Sequence, residues 1–295
     1  MRNLALARKF HSTSIAFILT LAVLVPATFA QDQPPPSYPP EQLDRLVSRI
    51  ALYPDPLLAQ VLGAATFPDQ IPDAARWADE HHYLSGEELS KAINEDQLPW
   101  DPSVQALLPF PSVLDQMASD MNWTSDLGNA VLAQRPDVMD AVQRMRKKAR
   151  DFGYLRTNQE MVVSNGPYIE LEPVDPAFIV VPTYDPFVVF AAPRPGFFIG
   201  GAIGFGFGVR IGTWFRPWGW GYSRIGWRDH AVFINNARWD RTWANRRVYV
   251  HAYPEVHRYA PGPARVERHE LIQRSARERE APRAGRPHDE EHRHH

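Results

Sequence analysis

Apolar residues recur at three- and four-residue spacing along the first half of the chain. Leu43, Leu46, Val47 and Ile50 form one stripe, and Leu57, Leu58, Val61 and Leu62 a second. Residues three and four apart share a helix face, so this period predicts short amphipathic helices. Asp55 before Pro56 reads as the cap of the second helix, with proline at a position where the missing N–H costs nothing. Ser85 and Glu88 have capping-box spacing ahead of Leu89 and Ile93. Val104, Leu107 and Leu108 make another short apolar segment, and Ser112 reads as a cap for a helix carrying Val113, Leu114 and Met117. The longest predicted helix covers residues 136–152, with Val138, Val142, Met145, Ala149 and Phe152 on one side. Arg144, Arg146, Lys147, Lys148 and Arg150 crowd its last turns, where cations suit the helix dipole and an anion also has a place to bind. Gly153 follows as a stop.

The period changes near residue 159. Met161-Val162-Val163, Tyr168-Ile169-Glu170-Leu171, Phe178-Ile179-Val180-Val181 and Phe187-Val188-Val189-Phe190 are β-type runs, with Asn165-Gly166 a turn signal between the first two. Together they predict a small antiparallel sheet. After it, Gly200, Gly204, Gly208 and Gly212 recur every fourth residue. On a helix they form a flat strip suited to membrane insertion or self-association, as small residues do between helices in lipid. But Phe205, Phe207, Val209 and Ile211 alternate with Gly204, Gly206, Gly208 and Arg210, which is a strand pattern. The apolar stretch between Arg194 and Arg210 is shorter than the ~20 residues of a spanning helix, so the strand or a surface-seeking loop is the favoured reading.

Charge divides the chain. Residues 41–190 hold 11 Lys+Arg against 23 Asp+Glu, and residues 191–295 hold 18 Arg against 10 Asp+Glu. The halves either attract each other or meet different surroundings. Six of the nine tryptophans lie between residues 214 and 243, interleaved with arginine. Trp214, Arg216, Trp218, Trp220, Arg224 and Trp227 are the candidate binding residues. Indoles favour interfaces and guanidinium groups grip phosphate or carboxylate, which suits a membrane surface or an anionic envelope polymer. The alternative is a small β module that uses Trp–Arg stacking for its own stability. Nucleic acid is not an expected partner, because the start of the chain reads as an export signal.

That start carries Arg2, Arg8 and Lys9, an apolar run over residues 15–25, Pro26, and small residues at Thr28 and Ala30. Charge, apolar core and small residues in this order make a secretory signal cleaved after Ala30, with an uncleaved anchor as the alternative. The protein is therefore expected in the periplasm or cell envelope. It has no cysteine, so neither a lipidated cysteine nor a disulfide is available to it. The expected organisation is a signal peptide (1–30), a Pro-rich linker (31–40), an acidic helical domain (41–155), a small β region (159–192), a Gly-rich apolar segment (193–213), an Arg/Trp-rich region (214–260) and a charged disordered tail (261–295). The fold class is α+β.

Catalytic signatures are sparse. There is no Gly-x-Ser-x-Gly, no phosphate loop and no dinucleotide fingerprint, and His269-Glu270-Leu271-Ile272-Gln273 lacks the second histidine of a zinc-protease helix. The terminal His288, His292, His294 and His295 lack ordered metal-ligand spacing. No catalytic residue, metal or cofactor is assigned. A carboxylate pair within the helical half is the route left open to an enzyme.

Several motifs in order resemble one family. They are Tyr53-Pro54-Asp55-Pro56-Leu57-Leu58-Ala59-Gln60-Val61-Leu62, Trp100-Asp101-Pro102-Ser103-Val104, Trp123-Thr124-Ser125-Asp126-Leu127-Gly128, Asp140-Ala141-Val142-Gln143-Arg144-Met145-Arg146, and Val181-Pro182-Thr183-Tyr184-Asp185-Pro186. Over residues 41–190 the chain resembles the bacterial envelope family catalogued as domain of unknown function 3300. The resemblance implies a secreted or membrane-associated protein and carries over no catalytic residue. The expected function is a non-catalytic envelope protein. The alternatives are a soluble periplasmic enzyme using helical-domain carboxylates and an integral membrane oligomer joined through the glycine strip.

Overall fold

Proline starts most of the helices, because its fixed φ suits the first turn and its absent N–H is unneeded there. The computed structural model describes residues 33–164, 166–193 and 201–249, and from Pro35 these belong to one compact unit. Proline stands in the first turn of α1 (Pro40–Val47), α2 (Asp55–Ala64), α3 (Ile71–Glu80), α5 (Pro102–Gln105), α6 (Pro111–Ser119) and α8 (Pro186–Val189), and α4 (Gly86–Asp96) begins after Ser85. The remaining helix, α7 (Met121–Asp151), is the longest.

Hydrophobicity on all sides places α2 in the middle, as expected of a helix without a polar face. Every residue of α2 except Pro56 is buried. Its neighbours are α5, α7 and strands from later in the chain, while α1 packs on α7 and α3 on α6. Gly128 lets α7 cross the end of α2. A Cβ there would lie 1.9 Å from the Ala65 carbonyl oxygen, so no larger residue fits without moving a helix. Trp77 and Trp123 are buried, and Trp100 is half-buried against the same core.

α7 kinks where the sequence puts a proline. Pro136 cannot donate to the Leu132 carbonyl, and the backbone at Gln134 leaves helical geometry (φ −139°, ψ 42°). The released Leu132 carbonyl accepts the Trp243 amide at 2.9 Å, and Arg135 donates to the carbonyls of Trp239 (3.0 Å) and Arg241. The kink is thus a docking point for the later segment.

The β region consists of small antiparallel pairs. β1 (Met161–Val163) pairs with β2 (Leu171–Pro173), with Val163 opposite Leu171. β3 (Phe178–Ile179) pairs with β6 (Val209–Arg210), and β4 (Pro182–Tyr184) with β5 (Ile203–Phe205). The first of these pairs packs on Leu52, Ala149, Leu155 and Val189, a second and smaller apolar cluster. The run 187–190, read as a strand in the sequence, is instead the helical turn α8. The Asp185 carboxylate accepts the Phe187 amide at 2.8 Å, and Pro186 fills the first position.

The Gly-rich segment forms strands, and the glycine strip is not a helix face. Gly204 lies in β5, Gly208 between β5 and β6, and Gly212 beyond β6 with φ +51°. Gly200 lies outside the described residues. No helix among the described residues is long and apolar enough to cross a membrane. Pairing and partial burial favour the strand: Phe205 packs on the smaller cluster and Ile211 enters the main core, while Phe207 between them stays exposed.

The Arg/Trp-rich region is a three-stranded meander of β7 (Arg224–Gly226), β8 (Ala231–Ile234) and β9 (Ala237–Arg238). Asn235 and Asn236, both at positive φ (53° and 60°), close the two-residue turn between β8 and β9, a position where asparagine is favoured. Trp218, Trp220, Trp227 and Trp239 join the same core as α2 and α7. The acidic and basic halves therefore share one interior, and the class is α+β.

Candidate functional site

The six Arg/Trp candidates do not form one surface. Trp218, Trp220 and Trp227 are 1–3% exposed, Trp214 is half-buried, and only Arg216 and Arg224 face solvent. Each buried indole N–H has an internal acceptor: Trp218 donates to Gln105 Oε1 (2.9 Å), Trp220 to the Ala106 carbonyl (2.9 Å) and Trp227 to Asp55 Oδ2 (2.7 Å). Trp214 accepts Ser90 Oγ on its carbonyl at 3.0 Å. Arg224 lies over the Phe233 ring at 4.1 Å, and Arg216 is 6.0 Å from that of Tyr222. The surface reading of the three buried indoles is corrected by their burial, because a ring held in a close-packed interior meets no ligand.

The centre of the molecule holds an ion pair instead. Arg146 is fully buried and Asp55 is 2% exposed. The Arg146 guanidinium donates to Asp55 Oδ1 (2.7 Å) and to the carbonyls of Ala51 (2.8 Å), Tyr53 (3.0 Å) and Ile169 (2.8 Å), and its plane lies 4.8 Å from the Trp227 ring. Asp55 Oδ1 also accepts the Leu171 amide at 3.4 Å, and Oδ2 takes the Trp227 indole. Burial pushes the Asp55 carboxyl upward, against the pull of Arg146, Trp227 and Leu171. Both oxygens are engaged, so the carboxylate is tied to structure rather than offered to a substrate. The network clamps the α1–α2 connection, the start of α2, α7, β2 and the residue after β7 together. Sequence reading assigns Asp55 to a helix cap and Arg146 to a solvated helix end; in the folded chain the two meet across 91 residues.

Glu172, on the outer side of β2, feels this centre. Partial loss of water, then the charges of Asp55 and Glu170, raise its carboxyl from 4.5 to about 7, with Arg146 opposing. The folded form therefore holds this proton more tightly than the unfolded chain. The stability it contributes is full below pH 4.5 and is lost as pH rises through about 7. Glu172→Gln is expected to flatten that decline. Urea midpoints at pH 4.5 and pH 7.5 check it, and an unchanged pH slope in the variant would contradict the assignment.

Beside the network, α1, α7 and the β4–α8 segment enclose a groove of about 710 Å³. This is within the ~300–1,000 Å³ of small-ligand sites. One wall is the outer face of α1 and the residues just beyond it: Glu41, Asp44, Arg45, Ser48 and Arg49. Met145 and Lys148 come from α7, Gln116 from α6, and Tyr184, Phe187 and Phe190 from the far side. The Tyr184 hydroxyl donates to the Ser48 carbonyl (2.9 Å) and accepts the Leu52 amide (3.3 Å), and burial keeps it well above its ordinary value. Tyr53 donates to Gln116 Oε1 at 3.3 Å, and burial raises it to about 12. Asp44 receives both Arg144 (2.7 Å) and Lys148 (3.2 Å), and Arg49 pairs with Asp120 (2.9 Å).

The ordered motifs supply part of these features: Tyr53, Asp55 and Arg146 to the clamp, and Met145, Tyr184, Asp185 and Pro186 to the groove wall. A family model described as "Protein of unknown function (DUF3300)" matches residues 39–260. The chain belongs to the DUF3300 family. Among curated proteins, the DUF3300 chain is similar to "Uncharacterized protein YacH" of Escherichia coli (strain K12), 29% identical over an alignment of 271 positions that covers 74% of this chain and 43% of that protein. The chain thus spans less than half the length of that relative. No solved structure matches this DUF3300 chain.

Proposed function

We propose that the protein is a non-catalytic cell-envelope protein that holds to a membrane surface through two exposed phenylalanines, Phe207 on its β ribbon and Phe187 on α8. One observation carries this reading: Phe187 and Phe207, at 90% and 103%, are the two most exposed large hydrophobic side chains among the described residues. Phe207 is displayed by a bulge. Between the pairs Ile179↔Val209 and Pro182↔Phe205, one strand has two residues and the other has three, Gly206, Phe207 and Gly208. The extra residue is turned outward, as bulges do when they re-aim a side chain. Gly208 is needed there, since a Cβ would come within 2.9 Å of the Phe178 ring. Val188 (43% exposed) extends the apolar surface on α8. Burying a phenylalanine is worth roughly 1.5–3 kcal/mol, so two of them support weak, reversible association. The export signal expected at residues 1–30 lies outside the described residues and would bring the chain to the envelope. The carboxylate-enzyme alternative loses support, because the most deeply buried carboxylate is fully engaged by Arg146, Trp227 and Leu171.

The test is cosedimentation of the mature chain with vesicles of three parts phosphatidylethanolamine to one part phosphatidylglycerol. The double variant Phe187→Ser/Phe207→Ser is expected to lower the partition coefficient by about tenfold or more, since 1.4 kcal/mol is a factor of ten. Its melting temperature should stay the same, because neither ring supports the core. A wild-type chain that remains in the supernatant would sink the reading.

A further inference from the structure

We infer that the groove beside α1 binds a single zwitterionic lipid, with its acyl chain along Met145, Tyr184 and Phe190 and its headgroup at the charged rim. The inference rests on the membrane reading above for its choice of ligand. The groove has the volume of a ligand site, about 710 Å³. Its apolar side is continuous with the exposed Phe187, which lines the mouth at 90% exposure. A lipid tail leaving a bilayer at Phe187 would therefore pass directly into it.

The rim has both signs of charge. Glu41, Asp44, Arg45 and Ser48 fall at i, i+3, i+4 and i+7, one face of α1, opposite the buried Leu43, Leu46 and Val47. The Asp44 charge is met twice, by Arg144 and Lys148, and Arg49 is met by Asp120. Arg45 makes no ion pair among the described residues and is exposed on the groove wall. Across from it, Asp185 turns one carboxylate oxygen to the Phe187 amide at 2.8 Å and keeps an open side to solvent. An unpaired guanidinium suits a phosphate oxygen. Glu41 and Asp185 suit an ammonium group. A purely anionic head would meet those two acids unfavourably, and a purely cationic one would meet Arg45.

The amide of Gln116 adds a polar contact in the wall. Its Oε1 accepts the Tyr53 hydroxyl, and its Nε2 has no partner and no water contact. A buried donor left unmatched is costly, and a small side-chain rotation toward a lipid ester carbonyl would give it a partner.

The experiment titrates the full mature chain with dihexanoyl-phosphatidylcholine below its micelle concentration, by calorimetry. One saturable site per chain is expected. Ser48→Trp, which places an indole in the groove, should weaken it by about tenfold or more. Arg45→Glu, an exposed change that leaves the melt unchanged, should weaken it about threefold. Phe207→Ser should leave this titration unchanged while lowering vesicle binding. No saturable binding by the wild type would overturn the groove proposal. Binding that is unaffected by both Ser48→Trp and Arg45→Glu would also overturn it, by placing the lipid elsewhere. Saturable binding in a chain that ignores vesicles would uphold the groove and refute the membrane anchor.

Discussion

Arg146→Met is expected to lower the free energy of unfolding by about 3–5 kcal/mol, the usual loss when one member of a buried ion pair is removed. The reason lies in what the guanidinium leaves behind. The carbonyls of Ala51 and Tyr53 lose the guanidinium donor, the Ile169 carbonyl keeps only Gln143 Nε2 (3.0 Å), and Asp55 Oδ1 keeps only the Leu171 amide (3.4 Å), all in a buried site. Methionine matches the stem but donates nothing. Asp55 then loses its main counter-charge while burial still acts on it, so it takes up a proton. Lysine would not rescue the site, because a point charge cannot serve four acceptors arranged around a planar fork. Denaturant titration at pH 7 measures the loss, and Asp55→Asn in the same background completes a double-mutant cycle. A single-variant change below about 1 kcal/mol would mean that the pair is not made in solution.

The two halves of this clamp show where sequence reading stops. Helical spacing located the stripes of α1 and α2, the proline-led start at Asp55-Pro56 and the last turns of α7, because those are local regularities, whereas Pro136, read as the start of the longest helix, lies inside α7 at its kink. Asp55-Pro56 is a sound cap signal by local rules, and Arg146 sits among four other cations at a helix end, where solvation is the ordinary fate of such charge. The tertiary fold overrides both. One hint was present: Val142, Met145 and Ala149 lie on the buried side of α7, and Arg146 is four residues after Val142 and three before Ala149. A charged residue in phase with an apolar stripe is a candidate for burial with a partner, and that phase separates Arg146 from Lys147 and Arg150.

The β half was legible as strands and turns but not as pairing. The run at 187–190 has strand composition, yet Asp185-Pro186 ahead of it is the same dipeptide that signals a helix start at Asp55-Pro56, and the structure begins α5 in the same way at Asp101-Pro102. Local capping won over β propensity there. In the Gly-rich segment the four-residue glycine repeat and the two-residue phenylalanine repeat compete, and pairing with β3 and β4, with Phe205 and Ile211 packed inward, decides for the strand. The interleaving of arginine with tryptophan was visible as composition. Its use is intramolecular: Arg135 stacks on Trp239 (4.9 Å), Arg146 on Trp227 (4.8 Å) and Arg246 on Trp243 (3.9 Å). Composition cannot distinguish a cation that stacks at home from one that awaits a ligand, since the same attraction to a ring face serves both.

Trp218→Ala and Trp220→Ala are where the two uses give opposite results. If these indoles meet an envelope ligand, their loss should release the protein from the envelope and leave its melt alone. The folded geometry predicts the reverse order of effects. Trp220 packs 5.1 Å from the Phe110 ring and donates to the Ala106 carbonyl, and Trp218 donates to Gln105 while its own carbonyl accepts Gln60 Nε2 at 3.0 Å. Each substitution opens a cavity at the seam between α2, α5 and the meander and strands a polar partner, so each should cost about 3–5 kcal/mol. Trp214→Ala, at a half-buried ring against Gly86 and Gly212, should cost less. Thermal melts of the purified variants read the first effect, and vesicle cosedimentation at a temperature where each is still folded reads the second. Loss of stability with vesicle binding intact would assign the indoles to the core and leave Phe187 and Phe207 as the membrane contacts. Unchanged melts with lost binding would return the tryptophans to the surface and reject the packing of the entire 214–239 segment against the helices.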